Sequence, residues 1–307
     1  MPVSTSVHIS HCLHHIITLG PRSVLDIGCG FGLWGFLCRE HLDVANERVY
    51  PDKWQVRIDG IELFEPYIQT HQRALYNNIR IADVREAVKD IDEYELIIAG
   101  DVIEHLHKDD ALTVIDALYA KATRALLINI PIGDGWDHPE NHGNPGELHR
   151  SQWCVVDFAP YPTSHRLFEL PCGQYGSFYC PKDVTPQDRA QGLLAAAQYQ
   201  LDYGALRWAE HYATQARALE PGSLDAALCL TDIQMRLGNY DAAVTLLEDT
   251  MTQHPEYDFG LLALAQLSAA RGKKDIARDY AHQLLQRPNA SLALRSQCDQ
   301  FLAKLGG

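Results

Sequence analysis

The sequence predicts an α/β domain with a mostly parallel sheet, followed by a smaller all-α domain. Three observations predict this organisation. Short apolar, β-branched segments alternate with helix-like segments up to residue 183, which is typical of α/β folds. A glycine-rich turn follows the first of these apolar segments. From Pro186 onward only helix patterns remain, and glycines recur at a spacing of 34 residues, which indicates helical repeats. We therefore expect domains at residues 1–183 and 184–307.

Size, composition and charge are those of two globular domains. The 307 residues are 46% hydrophobic, which is enough for two cores. No apolar segment approaches the ~20 residues that span a bilayer, and the N-terminus lacks a signal-peptide pattern. The cysteines are scattered without a C-x-x-C pair, which favours reduced thiols and a cytoplasmic location. The net charge of −14, mostly in residues 1–183, argues against nucleic acid as a partner.

Seven strands are predicted in the first domain. They are Ser23–Ile27, Arg57–Glu62, Ile79–Ala82, Glu95–Ala99, Ala125–Ile130, Arg166–Leu170 and Gly176–Cys180. Helical segments fall between the first five strands, so we expect these five to be parallel. The last two strands have no clear helix between them, and we expect them to pair antiparallel at one end of the sheet.

The first predicted strand ends in the glycine-rich turn Gly28–Gly32. A strand that breaks into such a turn before a helix allows a ligand to approach backbone atoms. The segment Gly30–Gly35 also fits the G-x-G-x-x-G pattern of dinucleotide-binding turns. That pattern places a ribose-binding acid about 20 residues further on. Here the next acid that ends a strand is Glu62, 34 residues past Gly28, which argues against a dinucleotide.

The sequence V-L-D-I-G-C-G-F-G at residues 24–32 resembles motif I of the class I S-adenosylmethionine-dependent methyltransferases. The resemblance extends over residues 20–131 and implies a Rossmann-like, seven-stranded methyltransferase domain with S-adenosylmethionine (SAM) as cofactor. In that family an acid at the end of the second strand holds both ribose hydroxyls, which implies Glu62, with Asp59 as its competitor. An acid after the third strand binds the adenine amine, which implies Asp83, with Val84 against the ring.

The same resemblance implies that a segment after the fourth strand, beginning at Asp101, lines the methionine side of the cofactor. Asp26 is expected either to hold the glycine turn or to face the cofactor's ammonium through backbone or water. The full set of cofactor-binding residues implied by the resemblance is Asp26, Gly28, Cys29, Gly30, Phe31, Gly32, Glu62, Leu63, Asp83, Val84, Asp101 and Val102.

Histidines in two polar segments are candidates for catalysis. Methyl transfer needs an aligned acceptor, and an oxygen or nitrogen acceptor also needs a base for its proton. His105 follows the fourth strand, and His149 lies in the long polar loop between Ile132 and Trp153. We predict that both act as proton acceptors or position the acceptor. The alternative is that each is a structural histidine bonded to loop backbone.

The segments that contain His105 and His149 are also similar to the metal site of ubiquinone-pathway O-methyltransferases and small-RNA 3′-end methyltransferases. The implied ligands are Asp101, Glu104, His105 and either His149 or His142. Asp101 stands where that pattern has a longer glutamate, and an E-H-L sequence is common in methyltransferases without a metal. We therefore expect no metal, and keep metal-assisted O-methylation as the alternative.

A 34-residue repeat occupies the second domain. Each copy has a glycine that marks a turn, an alanine five residues later, and a proline that ends the second helix. These positions are Gly204, Gly238 and Gly272; Ala209, Ala243 and Ala277; and Pro221, Pro255 and Pro288. The pattern resembles the tetratricopeptide repeat and implies about three repeats plus a capping helix at Ser291–Leu305. An ordinary helical bundle is the alternative.

The combined expectation is a cytoplasmic, SAM-dependent methyltransferase that acts on an oxygen or nitrogen of a small metabolite or natural-product intermediate. The repeats are expected to mediate a homodimer or to recruit a protein partner. Two alternatives involve the repeats differently. One is methylation of a protein docked on them, and the other is an adaptor that binds the cofactor without catalysis.

Overall fold

The computed structural model describes residues 5–136, 143–161 and 163–306. The chain forms two compact units, Met1–Val184 and Thr185–Gly307. None of the helices within the described residues is long and apolar enough to cross a membrane.

A seven-stranded sheet forms the centre of the first unit. Its strands are β1 (Ser23–Ile27), β2 (Arg57–Glu62), β3 (Asn78–Ile81), β4 (Tyr94–Gly100), β5 (Ala122–Ile132), β6 (Ser164–Leu170) and β7 (Gly173–Pro181). Their order is β3-β2-β1-β4-β5-β7-β6. The first five strands are parallel, and β7 pairs antiparallel with both β5 and β6. The predicted fold class and the antiparallel edge are confirmed.

The fifth strand is longer than its sequence predicts. It runs through Pro131, a residue that cannot donate to a sheet ladder. The pairing with β4 ends at Gly100 and Asn129, so Pro131 lies beyond that ladder. On its other side, β7 continues to pair through Ile132 and Gln174. The proline therefore removes no hydrogen bond that β4 needs, and the strand extends past it.

Helices flank this sheet and bury its central strands. They are α1 (Ile9–Leu19), α2 (Leu33–Leu42), α3 (Thr70–Leu75), α4 (Val84–Ala87) and α5 (Lys108–Lys121). The apolar side chains of β1, β4 and β5 are almost completely buried, as expected for parallel strands covered on both faces. Strand order reverses between β1 and β4, and open α/β sheets bind ligands at such a point, beyond the carboxyl ends of the strands.

The second unit consists of helices in its described part. They are α6 (Pro186–Asp202), α7 (Leu206–Leu219), α8 (Leu224–Arg236), α9 (Tyr240–Gln253), α10 (Phe259–Ala270), α11 (Lys274–Gln286) and α12 (Leu292–Gly306). The three repeat glycines adopt φ of 78°, 78° and 75°, the left-handed conformation that ends the first helix of each pair. The three repeat alanines are fully buried. The predicted repeat architecture is confirmed.

Candidate functional site

A cavity of about 430 Å³ opens at the carboxyl ends of the parallel strands. Its walls come from the segments that follow each of the five strands β1 to β5. Ten of the residues singled out in the sequence line it: Gly28, Cys29, Gly30, Glu62, Leu63, Asp83, Val84, Asp101, Val102 and His105. Six other described residues that were singled out do not line it: Asp26, Phe31, Gly32, Asp59, Glu104 and His149. A cavity of this size suits a cofactor-sized ligand.

The glycine turn packs closely against the segment that follows β4. Gly28 has φ of 66°, and a Cβ built on it would lie 2.2 Å from Cγ2 of Val102. Gly30 and Gly32 also have positive φ, at 47° and 88°. The Gly28 amide donates to the Ile61 carbonyl at 2.8 Å, which ties the turn to β2. Glycine is therefore required at residue 28 by the protein's own packing.

Asp26 lies two residues before the turn and does not line the cavity. Its side chain is fully buried, and the Tyr76 hydroxyl donates to Oδ2 at 2.5 Å. The same hydroxyl accepts the Gly35 amide at 3.0 Å, which fixes the start of α2. Burial raises the pKa of Asp26 to about 7, and the Tyr76 hydrogen bond opposes that rise. Through Tyr76, Asp26 is linked to the backbone at the start of α2, and its two predicted roles stay predictions.

Glu62 ends β2 with its carboxylate in the cavity wall. Oε2 accepts the Gly30 amide at 2.8 Å and Oε1 accepts the Phe64 amide at 2.9 Å. Burial raises the pKa of Glu62 above its usual value, and the two amides oppose the rise. Each oxygen keeps capacity for another donor. The competing acid, Asp59, lies outside the cavity wall and accepts the Tyr94 hydroxyl at 2.7 Å.

Asp83 and Asp101 occupy the corresponding ends of the neighbouring strands. Asp83 caps α4 by accepting the Arg85 amide at 2.9 Å, and an Arg85 side-chain nitrogen lies 2.5 Å from Oδ2. The Arg85 guanidinium lowers the pKa of the Asp83 carboxyl. Asp101 adopts φ of 52°, and the Tyr175 hydroxyl lies 2.8 Å from both of its carboxylate oxygens. Both acids are thus held in fixed orientations.

Three side chains beside the cavity could share one ion. Glu104, His105 and His149 each offer a ligand atom, and these atoms lie within 4.8 Å of one another. The two imidazole rings meet edge to face at 4.9 Å between centroids. His149 Nδ1 lies 2.6 Å from the Trp136 carbonyl oxygen. His105 lines the cavity, whereas His149 does not.

Glu104 is the buried acid of this group. Its side chain is 1% exposed, and neither carboxyl oxygen has a hydrogen-bond partner among the described residues. Burial, followed by the nearby charge of Asp101, raises the pKa of Glu104 well above its usual range. Asp101 lies outside the group because its carboxylate faces Tyr175, and His142 lies outside the described residues. The predicted four-residue ligand set is therefore reduced to three.

Sequence reasoning missed several residues of the cavity. The Tyr67 hydroxyl donates to Glu147 Oε1 at 3.0 Å, which joins the segment after β2 to the segment after β5. Asn144 and Arg150 also line the cavity, and Tyr76 holds Asp26. No motif spacing marks these residues, since Tyr67 and Glu147 are 80 residues apart. For Asn144, Glu147 and Arg150, the predicted polar loop between Ile132 and Trp153 was the one sequence signal.

Comparisons with known proteins give distant structural similarity only. No protein-family model and no curated protein matches the chain. A magnesium protoporphyrin IX methyltransferase from Synechocystis PCC 6803, solved with bound S-adenosylhomocysteine (SAH), is 15% identical, with a TM-score of 0.42; the match covers 57% of this chain and 82% of that one. A SAM-dependent methyltransferase from Archaeoglobus fulgidus is 16% identical, with a TM-score of 0.42. That match covers 57% of this chain and 93% of the other.

The second unit has separate similarities. The translocator chaperone SycD from Yersinia enterocolitica is 16% identical, with a TM-score of 0.35, covering 39% of this chain and 92% of that one. The fold assignment rests on the strand order and the repeat geometry of the chain itself.

Proposed function

We propose that the protein is a SAM-dependent methyltransferase that transfers a methyl group to an oxygen or nitrogen of a small molecule. One observation carries the proposal. The cavity brings together the glycine turn, Glu62, Asp83 and Val102, which lie on four separate segments of the chain. These are the residues that the resemblance to class I methyltransferases assigns to one cofactor.

The cavity residues fit the parts of that cofactor. The two oxygens of Glu62 are held apart by two backbone amides, and each can accept one ribose hydroxyl. Asp83 is held by Arg85 at the end of β3, where an adenine amine would be bound, with Val84 against the ring. In this proposal the methionine part lies at the glycine turn, which lines the cavity. SAM supplies an electrophilic methyl group when bound.

The protein's contribution is to align the acceptor, exclude water and accept a proton. His105 lies in the cavity wall, and its ring contacts that of His149. In this proposal His105 takes the proton from the acceptor hydroxyl or amine. His149 orients His105, and the Trp136 carbonyl holds the His149 ring.

The cofactor proposal is tested by isothermal titration of the full chain with SAH and, separately, with NADH. We expect one SAH per chain and no NADH binding. NADH binding without SAH binding would replace the proposal with the dinucleotide alternative. Absence of both would remove the cofactor assignment.

A second candidate is divalent-metal-assisted O-methylation, supported by the grouping of Glu104, His105 and His149. One carboxylate and two imidazoles form a ligand set that transition metals accept. The two unpartnered oxygens of the buried Glu104 are consistent with an absent ligand. A metal held there would lower the pKa of an acceptor hydroxyl. Full turnover after exhaustive chelation would remove this candidate; loss of turnover with recovery on adding Mg²⁺, Mn²⁺ or Zn²⁺ would support it.

For the helical unit we propose a role in assembly, as a homodimer contact or as the docking site of a protein partner. Helical repeats expose extended faces, and Tyr203 and Leu292 are 75% and 87% exposed. Light scattering of the full chain tests the homodimer: a mass of twice 34.4 kDa is expected, and a monomer contradicts it.

A further inference from the structure

Arg150 places a guanidinium in the wall of the cavity. Arg150 is exposed and lines the cavity, and its side chain makes no hydrogen bond or ion pair with any described residue. Its backbone is fixed, because the Arg150 amide donates to the Glu104 carbonyl at 2.8 Å and the Ser151 amide donates to the same oxygen at 3.1 Å. The backbone that carries the Arg150 side chain is therefore tied to the segment that contains Glu104 and His105.

The other charges that line the cavity already have partners. Glu62 accepts two backbone amides, and Glu147 accepts the Tyr67 hydroxyl. Asp101 accepts the Tyr175 hydroxyl.

The second arginine of the wall is also paired. Arg85 contacts Asp83 at 2.5 Å and Asp110 at 3.3 Å. Among the described residues of the wall, Arg150 is thus the one arginine or lysine without an acidic partner.

A guanidinium is charged at every pH of interest and binds carboxylates through two parallel hydrogen bonds. On the basis of the proposed function, we propose that Arg150 binds the carboxylate of the methyl acceptor, so that the substrate class is a carboxylic acid with a methylatable hydroxyl or amine. The lining of the same cavity also includes the apolar residues Leu33, Trp34 and Leu106, which suit the hydrocarbon part of such an acid. The acceptor's hydroxyl or amine would then face His105.

SAM also carries a carboxylate. One arm of the experiment therefore tests whether Arg150 binds the carboxylate of the cofactor, and the other tests whether it binds the carboxylate of the acceptor. In the first arm, wild type and Arg150→Gln are titrated with SAH and with 5′-methylthioadenosine, which lacks the amino-acid part. In the second arm, each protein saturated with SAH is titrated with benzoate and with the uncharged benzamide. Arg207→Gln, an exposed arginine of the helical unit, is the matched control for loss of one positive charge. Thermal midpoints check that each variant is folded.

We expect Arg150→Gln to weaken benzoate binding by about tenfold or more, with benzamide and SAH affinities unchanged within about twofold. Arg150→Lys should retain part of the benzoate affinity. Three results would overturn the proposal: equal benzoate affinity in wild type and Arg150→Gln, no benzoate binding by wild type, or a loss confined to SAH. The last result would assign Arg150 to the cofactor. Failure of wild type to bind SAH would instead refute the proposed function.

Discussion

The Glu62 carboxylate accepts the Gly30 amide at 2.8 Å, and this hydrogen bond joins the end of β2 to the glycine turn after β1. The other oxygen of Glu62 accepts the Phe64 amide at 2.9 Å. A single side chain thus fixes two backbone segments of the cavity, and each of its oxygens still has the capacity to accept another donor.

Glu62→Gln should weaken SAH binding by about ten- to a hundredfold, equivalent to about 1.5–3 kcal/mol. The amide has one acceptor oxygen, so it cannot serve two backbone amides and two ribose hydroxyls. Titration calorimetry measures the change. Glu65→Gln, a neighbouring exposed acid, is the control and should bind SAH as wild type does. Unchanged affinity in Glu62→Gln would remove the ribose role from this residue.

Gly28→Ala should lower both the thermal midpoint and the SAH affinity. The added Cβ would lie 2.2 Å from Val102 Cγ2, and φ of 66° is strained for alanine. The double variant Gly28→Ala/Val102→Ala should recover part of the loss, because it removes the clash but not the strain. Gly28→Val should abolish SAH binding.

The control for this series is Gly222→Ala, where an added Cβ would meet nothing within 4 Å. It should leave the midpoint and the affinity unchanged. A Gly28→Ala variant with wild-type midpoint and affinity would contradict the packing described for the turn.

Asp26 should make the first unit less stable as pH rises from 5 to 7. Because burial raises the pKa of Asp26 to about 7, the folded state holds a proton that the unfolded state has already lost above pH 3.8. Its contribution to stability is complete below pH 3.8 and is lost by about pH 7. Between pH 5 and 7, wild type should lose about 2 kcal/mol more than Asp26→Asn.

Urea unfolding followed by tryptophan fluorescence measures this difference, since four of the five tryptophans lie in residues 1–184. The asparagine variant keeps an oxygen acceptor for Tyr76. Asp52→Asn, on the surface, serves as the control. A stability difference between wild type and Asp26→Asn that stays constant with pH would show that Asp26 does not titrate in this range.

His149→Ala should keep its SAH affinity within about twofold and lose more than about tenfold in turnover. His149 lies outside the cavity wall but contacts His105, which lines it. Transfer of a tritiated methyl group from SAM to the acceptor measures turnover, and calorimetry measures affinity. His282→Ala, exposed in the helical unit, is the control. Wild-type turnover in His149→Ala would make His149 a structural residue.

The fold was predictable because its signals are local. The β-branched strand of residues 23–27, the turn at Gly28 and the repeated glycines each specify backbone conformation within a few residues. The sequence also placed Glu62 and Asp83 at strand ends, where a parallel sheet brings them to one edge.

The contacts that shape the cavity were not predictable because they join distant residues. Tyr76 bonds to Asp26 over 50 residues, and Tyr67 bonds to Glu147 over 80. Neither pair has a characteristic spacing. The extension of β5 through Pro131 was missed for a related reason, since it depends on where the pairing with β4 stops.

The crystal structure of the full chain with SAH tests the central claim most directly. We expect both ribose hydroxyls within hydrogen-bond distance of Glu62, the adenine amine at Asp83, and the sulfur facing His105. A ligand bound with its adenosine away from Glu62 and Asp83, or no ligand in the cavity at saturating SAH, would contradict it.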